Sequence, residues 1–199
     1  MTKAEIKQNI KRMNILDSAY RLFTVVGFSS TAIDDIVKSA GIAKGTFYLY
    51  FKDKYDLLDQ LIVHKGSDLI VESYKKAFYD ESKNFEDKVI TFINNIIDFL
   101  IHHRELAALV QKNLSSFFRS ILNTDNSELQ NSLKELTNGF IKKGYTKEDA
   151  EKTIYLLTDL TGSVCCDAVV YEKPYSIEDI RPLFLLTVRN IIKQGATSV

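Results

Sequence analysis

The chain has 199 residues, 45% hydrophobic and 26% charged, with 26 basic residues balancing 26 acidic ones. This is ordinary soluble globular chemistry, long enough for one large domain or two small ones with a real apolar core. No apolar run approaches the ~18 residues of a membrane span, and the polar stretch from Met1 to Arg12 lacks the apolar segment of a signal peptide.

Two prolines and eight glycines are few breakers for this length and favour helices over a turn-rich β fold. The first helix is predicted from about Lys3 to Val26. Ile6, Ile10, Met13, Ile15, Leu16, Ala19, Tyr20 and Phe23 recur at helical spacing, and Gly27 follows as a C-cap glycine does. Two short helices follow, about Ala32 to Ala40 and Lys44 to Phe51, with Thr31-Ala-Ile-Asp34 as a capping-box pattern for the first and Gly41 at its end. Asp53-Lys-Tyr-Asp56 caps a longer helix running to about Tyr79. Beyond it the periodicity predicts helices over Glu86 to His103, Arg104 to Leu122, Ser127 to Lys143, Thr146 to Glu172, and from Ser176 to near Gly195. Helix starts of the Ser/Thr/Asp-x-x-Asp type, including Thr146-Lys-Glu-Asp149 and Ser176-Ile-Glu-Asp179, agree with the apolar pattern. The fold class is all-α.

Charge is divided unevenly. Residues 1–54 hold nine basic and five acidic residues, and the remainder holds 17 basic and 21 acidic. A basic head on an acidic body suits a chain that offers one end to a polyanion.

The informative stretch runs from Ile36 to Phe51. Two short helices meet at a tight turn centred on Gly41, as a helix-turn-helix requires for its second helix to enter a major groove. Lys44, Gly45, Thr46, Tyr48 and Tyr50 give that second helix a polar, aromatic face. Gly45 permits close approach to DNA, Lys44 can neutralise phosphate or reach guanine, and Thr46 offers a hydroxyl and a methyl to base edges. Tyr48 and Tyr50 can donate to phosphates, and Lys54, at the next helix start, is placed for phosphate. Phe47 and Phe51, four apart, anchor the helix to its own core.

These residues resemble the DNA-binding domain of the TetR family of repressors. The matching segments are Ala19-Tyr-Arg-Leu22-Phe23-Thr-Val-Val-Gly27-Phe28, then Thr31-Ala-Ile-Asp-Asp-Ile36, then Ala40-Gly-Ile-Ala-Lys-Gly45-Thr-Phe-Tyr48-Leu-Tyr50-Phe-Lys-Asp-Lys54, with Leu57 and Leu58 also fitting. The position before Lys44 is often Ser in the family and is Ala43 here, which removes a helix cap worth ~1 kcal/mol. The resemblance implies an N-terminal three-helix helix-turn-helix domain, residues 1–54, followed by a larger helical ligand-binding and dimerisation domain, residues 55–199. It implies that Thr31, Lys44, Thr46, Tyr48, Tyr50 and Lys54 face double-stranded DNA. It also implies a homodimer built on the last two helices, and a small-molecule effector held in the C-terminal body that releases a palindromic operator.

The C-terminal two-thirds adds candidates with two readings each. Thr91, Asn94, Asn95, Asp98 and His102 form either a narrow solvent stripe or, at Asn95 or Asp98, part of a ligand pocket. Asp159 and Asp167 interrupt an apolar run, and Asp159 is either exposed or the partner of a cationic ligand. Phe92, Phe99, Phe117, Phe118, Phe140 and Tyr155 are core or line a cavity. The expected ligand-binding set is therefore Asn95, Phe99, Phe117, Phe118, Tyr155 and Asp159.

Cys165 and Cys166 are adjacent, suit buried apolar filler better than redox sensors, and lack both disulfide-framework and zinc-site spacing. His102 and His103 point about 100° apart on a helix and do not readily share a metal. No nucleophile elbow, phosphate loop or zinc-protease pattern is present. The expectations are no catalytic residues, no metal, no cofactor, no membrane partner and a cytoplasmic protein. The alternative is a DNA-bound adaptor whose body takes a protein partner.

Overall fold

A computed structural model describes residues 2–112 and 126–194, and every regular element among them is helical. The chain divides into two compact units, Met1–His64 and Lys65–Val199. The boundary expected after residue 54 thus falls ten residues later. The physical reason lies in the next helix, whose Leu57, Leu58, Leu61 and Ile62 are buried in the first unit's core.

In the first unit, α1 spans Lys3–Val25 and opens on a reciprocal cap. The Thr2 hydroxyl accepts from the Glu5 amide at 3.3 Å, and the Glu5 carboxylate accepts from the Thr2 amide at 2.7 Å. Its buried face begins at Ile15 and continues through Leu16, Ala19 and Phe23. Ile6 and Ile10, part of the same sequence stripe, remain exposed.

Helix α2 is Ile33–Ser39 and α3 is Lys44–Phe47. Gly27 and Gly41 take φ of +92° and +65°, the left-handed region that reverses the chain after α1 and α2. The cap of α2 differs from expectation by one residue. Asp35, not Asp34, accepts from the Ala32 amide at 3.0 Å, because the Thr31 hydroxyl points back to donate to the Gly27 carbonyl at 2.8 Å.

Helix α4, Lys54–Phe78, is capped by Asp53, whose Oδ1 accepts from the Tyr55 and Asp56 amides at 2.7 and 2.9 Å. Arg12 of α1 donates to Gln60 Oε1 of α4 at 2.6 Å, and Gln60 donates on to Asp56 at 2.9 Å. This chain of polar contacts ties α1 to the start of α4.

The second unit takes α4 from Lys65 onward and adds α5 (Phe85–His102), α6 (Arg104–Lys112), α7 (Ser127–Lys142), α8 (Lys147–Leu160), a π-helical turn (Thr161–Cys165), α9 (Cys166–Val170) and α10 (Ile177–Gln194). The N-caps at Thr146 and Ser176 form as the sequence predicts, each hydroxyl accepting from the amide three residues on. Val89, Ile93, Ile97 and Leu100 bury one face of α5. Rings from four segments then connect in series: Tyr74 stacks on Phe78 at 4.2 Å, Phe78 meets Phe85 at 6.1 Å, Phe85 meets Phe140 at 5.0 Å, and Phe140 meets Tyr145 at 5.1 Å. The Tyr145 hydroxyl lies 2.9 Å from the Ile192 carbonyl, one of the end carbonyls of α10 that lack a helical partner.

Lys147–Val170 forms nearly continuous helix, and by length and mean hydropathy it could cross a membrane. It differs from the expectation of no such segment, because Asp159 and Asp167 are diluted by the apolar residues around them. In the folded unit α8 packs against α7, and α9 packs against α6 and α5.

Gly139 of α7 supplies a testable packing constraint. A Cβ built there would overlap the Phe85 ring, lying 2.8 Å from both Cδ2 and Cζ. Gly139→Ala is expected to lower stability by about 1–2 kcal/mol, the overpacking cost exceeding the helix-propensity gain. Urea unfolding of the full chain checks it, and a raised midpoint would show that Phe85 yields freely.

Candidate nucleic-acid interface and ligand cavity

The first unit presents α3 and the turn after it as an outward-facing ledge. Phe47 and Phe51 are buried, their rings 5.5 Å apart, and they fix the segment to the unit's core. With 47 and 51 inward, helical geometry turns the intervening side chains outward. Lys44, Gly45 and Tyr48 are exposed, and Thr46 and Tyr50 are half-buried.

Leu49 is 80% exposed at the tip of the ledge, a large apolar side chain that sequence reasoning did not single out. The signal was available in the positions of the two buried phenylalanines. The α3 N-terminus has no side-chain cap, consistent with Ala43 in that position.

The Lys44 ammonium pairs with Asp34 at 2.7 Å, both side chains largely exposed. The hydrogen bond and charge of Asp34 raise the Lys44 pKa above its ordinary value. Asp34 was also missed by the sequence reading. It neutralises the ledge's central cation from the preceding helix.

Two of the residues expected to face DNA are placed elsewhere. Thr31 is buried, and its hydroxyl is spent on the Gly27 carbonyl. The Lys54 ammonium donates to the carbonyls of Phe28 at 2.7 Å and Thr31 at 2.9 Å, and sits 4.5 Å from the centre of the Phe28 ring. Both residues close the link between α1 and α2 instead of projecting from it. The reason is local: the reversal at Gly27 leaves carbonyls without helical partners, and these two side chains satisfy them.

The second unit contains a cavity of about 870 Å³. Among the described residues its walls come from the second half of α4 (Gly66, Leu69, Ile70), from α5 through α8, and from the π-helical turn. Tyr155 lies on its rim and is 55% exposed. Phe92 and Phe140 also line it, while Asn95 and Phe99 border a separate, smaller pocket of about 260 Å³. Asn95 Nδ2 donates to the Ser73 carbonyl at 3.4 Å.

Asp159 is exposed and does not line the cavity, which corrects its expected ligand role. Its position on α8 turns it away from the face that carries Leu157 and Thr161. Phe117 and Phe118 lie outside the described residues. Asn94 and Asp98 hold Arg181 of α10, at 2.7 and 2.6 Å, so part of the polar stripe on α5 is an interhelical clasp.

Cys165 and Cys166 are buried as expected, and burial pushes both thiols up to about 12. A raised folded-state value contributes stability below the unfolded thiol's range, and that contribution is lost as pH rises towards about 12. Both thiols are expected to resist iodoacetamide at pH 8 until urea unfolds the chain. Rapid alkylation of the folded protein, read by mass, would show that they are accessible.

These features define a class: a helix-turn-helix domain joined to a helical body that encloses a mostly apolar cavity. Residues 15–61 match the family described as bacterial regulatory proteins, tetR family. The fatty acid metabolism regulator protein of Bacillus subtilis (strain 168) is 28% identical over 131 residues, 66% of this chain and 62% of that protein. The transcriptional regulator AcrR of Shigella flexneri is 45% identical over 60 residues, 30% of this chain and 27% of that protein. The chain thus aligns with less than two thirds of either relative. The solved structure of the fatty acid degradation regulator FadR from Bacillus halodurans superposes with a TM-score of 0.63 at 22% identity, covering 95% of this chain and 97% of that one, which shows the shared fold. Residues 15–61 are thus similar to the tetR-family DNA-binding segment, and the chain as a whole shares the fold of that solved regulator.

Proposed function

We propose that this chain is a sequence-specific DNA-binding transcriptional regulator, a repressor released from a palindromic operator by a small molecule. The observation that carries the reading is the ledge of α3. Lys44, Gly45, Thr46, Tyr48 and Leu49 face outward from a platform bolted down by Phe47 and Phe51. That is the chemistry of a major-groove reader: a cation, a hydroxyl, a phenol and apolar surface for thymine methyls.

On this reading Lys44 exchanges Asp34 for phosphate or guanine when DNA binds. Thr46 and Leu49 read base edges, and Tyr48 and Tyr50 donate to phosphates. The large cavity of the second unit supports a small-molecule effector over a protein partner as the signal.

A homodimer through α8 and α10 completes the scheme. Leu156 and Leu160 of α8 and Leu183 and Leu186 of α10 are large apolar side chains left exposed in the single chain. A two-fold pairing would cover them. Two recognition segments about one DNA turn apart, ~34 Å, or a multiple of it, would then match half-sites of a palindrome. An effector that binds better to a form with another spacing lowers DNA affinity by linkage. The protein would work in the bacterial cytoplasm, where the DNA is, and no catalytic role is assigned to it.

Selection from a random double-stranded DNA pool, followed by sequencing, tests the proposal. An enriched palindrome is the expected result. Only salt-sensitive binding without enrichment would remove the sequence-specific reading.

A further inference from the structure

The cavity wall is more informative than its volume. Deep in the cavity the described lining is hydrocarbon: Val89, Ile93, Leu100, Leu106, Leu136 and Leu157 are all buried. Among the described residues three threonine hydroxyls reach the wall, and each donates to the carbonyl four residues back on its own helix. Thr137 donates to Leu133 at 2.9 Å, Thr158 to Ile154 at 2.6 Å and Thr161 to Leu157 at 2.6 Å. The Cys166 thiol stays protonated because burial raises its pKa. Among the described residues the interior therefore offers a ligand no charge and no uncommitted hydroxyl proton.

The charges stand at the rim. Lys134, Lys147 and Glu151 line the cavity and are exposed, with Tyr155 and Asn138 beside them. Lys147 lies 3.8 Å from Glu151, so that pair is largely self-compensating. Among the described residues Lys134 has no ion pair, and the charges they place at the mouth sum to an excess of one cation.

We infer that the cavity takes an anionic amphiphile, its hydrocarbon tail in the interior and its negative head at the rim beside Lys134. This rests on the reading of the second unit as the effector-binding body, and it names the chemical class of that effector. A polar group buried in the tail region would lose its hydration and find no donor in return. A cationic head would meet the wrong sign at the mouth.

The test uses the full chain and isothermal titration with saturated carboxylates of eight, ten and twelve carbons, below their micelle concentrations. Affinity is expected to rise by about fourfold per methylene, the transfer increment for a fully buried CH₂. Dodecanoate is expected to bind about threefold tighter than dodecanol, the scale of one exposed charge contact. Lys134→Gln should abolish that preference and leave dodecanol binding unchanged. 12-Hydroxydodecanoate should bind about tenfold more weakly than dodecanoate.

Dodecylammonium binding as tightly as dodecanoate would overturn the assignment, as would a flat dependence on chain length. Dodecanoyl-coenzyme A, titrated in parallel, tells whether the anionic head is a free carboxylate or a thioester's phosphates. Failure of the two readings is separable. Tight carboxylate binding with no release of the selected operator supports the assignment and removes the effector role. No binding of any carboxylate, with palindrome enrichment intact, overturns the assignment and leaves the DNA reading in place.

Discussion

Replacing Lys54 with methionine is expected to destabilise the first unit by about 2–4 kcal/mol, from the loss of two charge-assisted hydrogen bonds to carbonyls. The ammonium lies 2.7 Å from the Phe28 carbonyl and 2.9 Å from that of Thr31, and the methionine thioether has no hydrogen to donate to them. Methionine keeps the apolar stem over the Phe28 ring, so the loss reports the polar contacts. The salt dependence of operator binding should keep its slope, because a lysine held by carbonyls releases no counterion from DNA. A lysine that neutralised one phosphate would contribute about 0.9 to that slope. Urea unfolding of the full chain, together with binding to the selected operator across a salt series, separates the cases. A slope reduced by about one with an unchanged unfolding midpoint would return Lys54 to the phosphate-contacting set.

Gly45→Leu should do the reverse. No described residue packed against it lies within 4 Å of a Cβ added at Gly45, and its φ lies outside the left-handed region. The substitution therefore meets no internal obstacle, and leaving glycine in a helix should raise stability by about 0.5–1 kcal/mol. On DNA the outcome differs. On the proposed reading, a leucine on the face offered to the groove would hold the backbone away from the bases. Specific affinity is then expected to fall by about 10³-fold or more, to the non-specific level. Gly45→Ala should fall between the two. Wild-type operator affinity in Gly45→Leu, measured by fluorescence anisotropy, would show that this face of α3 does not approach DNA.

The two substitutions divide what the sequence disclosed from what it concealed. At Gly45 the sequence was sufficient: Phe47 and Phe51 are four apart and apolar, so the residues between them and just before them had to turn outward. At Lys54 it was not. A lysine at a helix start near the proposed DNA-reading segment has the right charge for phosphate. Whether it reaches solvent or folds back depends on where the Phe28 and Thr31 carbonyls lie, 26 and 23 residues away in the chain. Thr31 failed as an expectation for the same reason. Its hydroxyl had two local partners available, forward to the α2 N-terminus or back to Gly27, and the left-handed turn at Gly27 decided for the second.

In the second unit the helices were legible and the cavity was not. Apolar periodicity and the caps at Thr146 and Ser176 located α8 and α10 to within a residue or two of their starts. The same periodicity does not distinguish an aromatic in a packed core from one on a cavity wall. Phe140 is fully buried and Tyr155 is 55% exposed, yet both line the same space. Asn95 and Phe99 were grouped with Tyr155 on composition, and the turn of α5 carries them to a different pocket. The Asn94–Asp98–Arg181 clasp joins residues more than 80 positions apart, which no local pattern encodes.

The sequence by itself determined the all-helical class, the order of the helices, the turn at Gly41 and the outward set Lys44, Gly45 and Tyr48. All of these follow from spacing within a few residues, where 3.6-residue periodicity and backbone sterics act. Only the tertiary structure decided that Thr31 and Lys54 are internal struts, that Asp34 holds Lys44, that Asp159 turns away from the cavity, and that Thr137, Thr158 and Thr161 bring already committed hydroxyls to its wall. Those outcomes depend on which donor meets which acceptor once distant segments pack, and where a group is buried such pairing is obligatory.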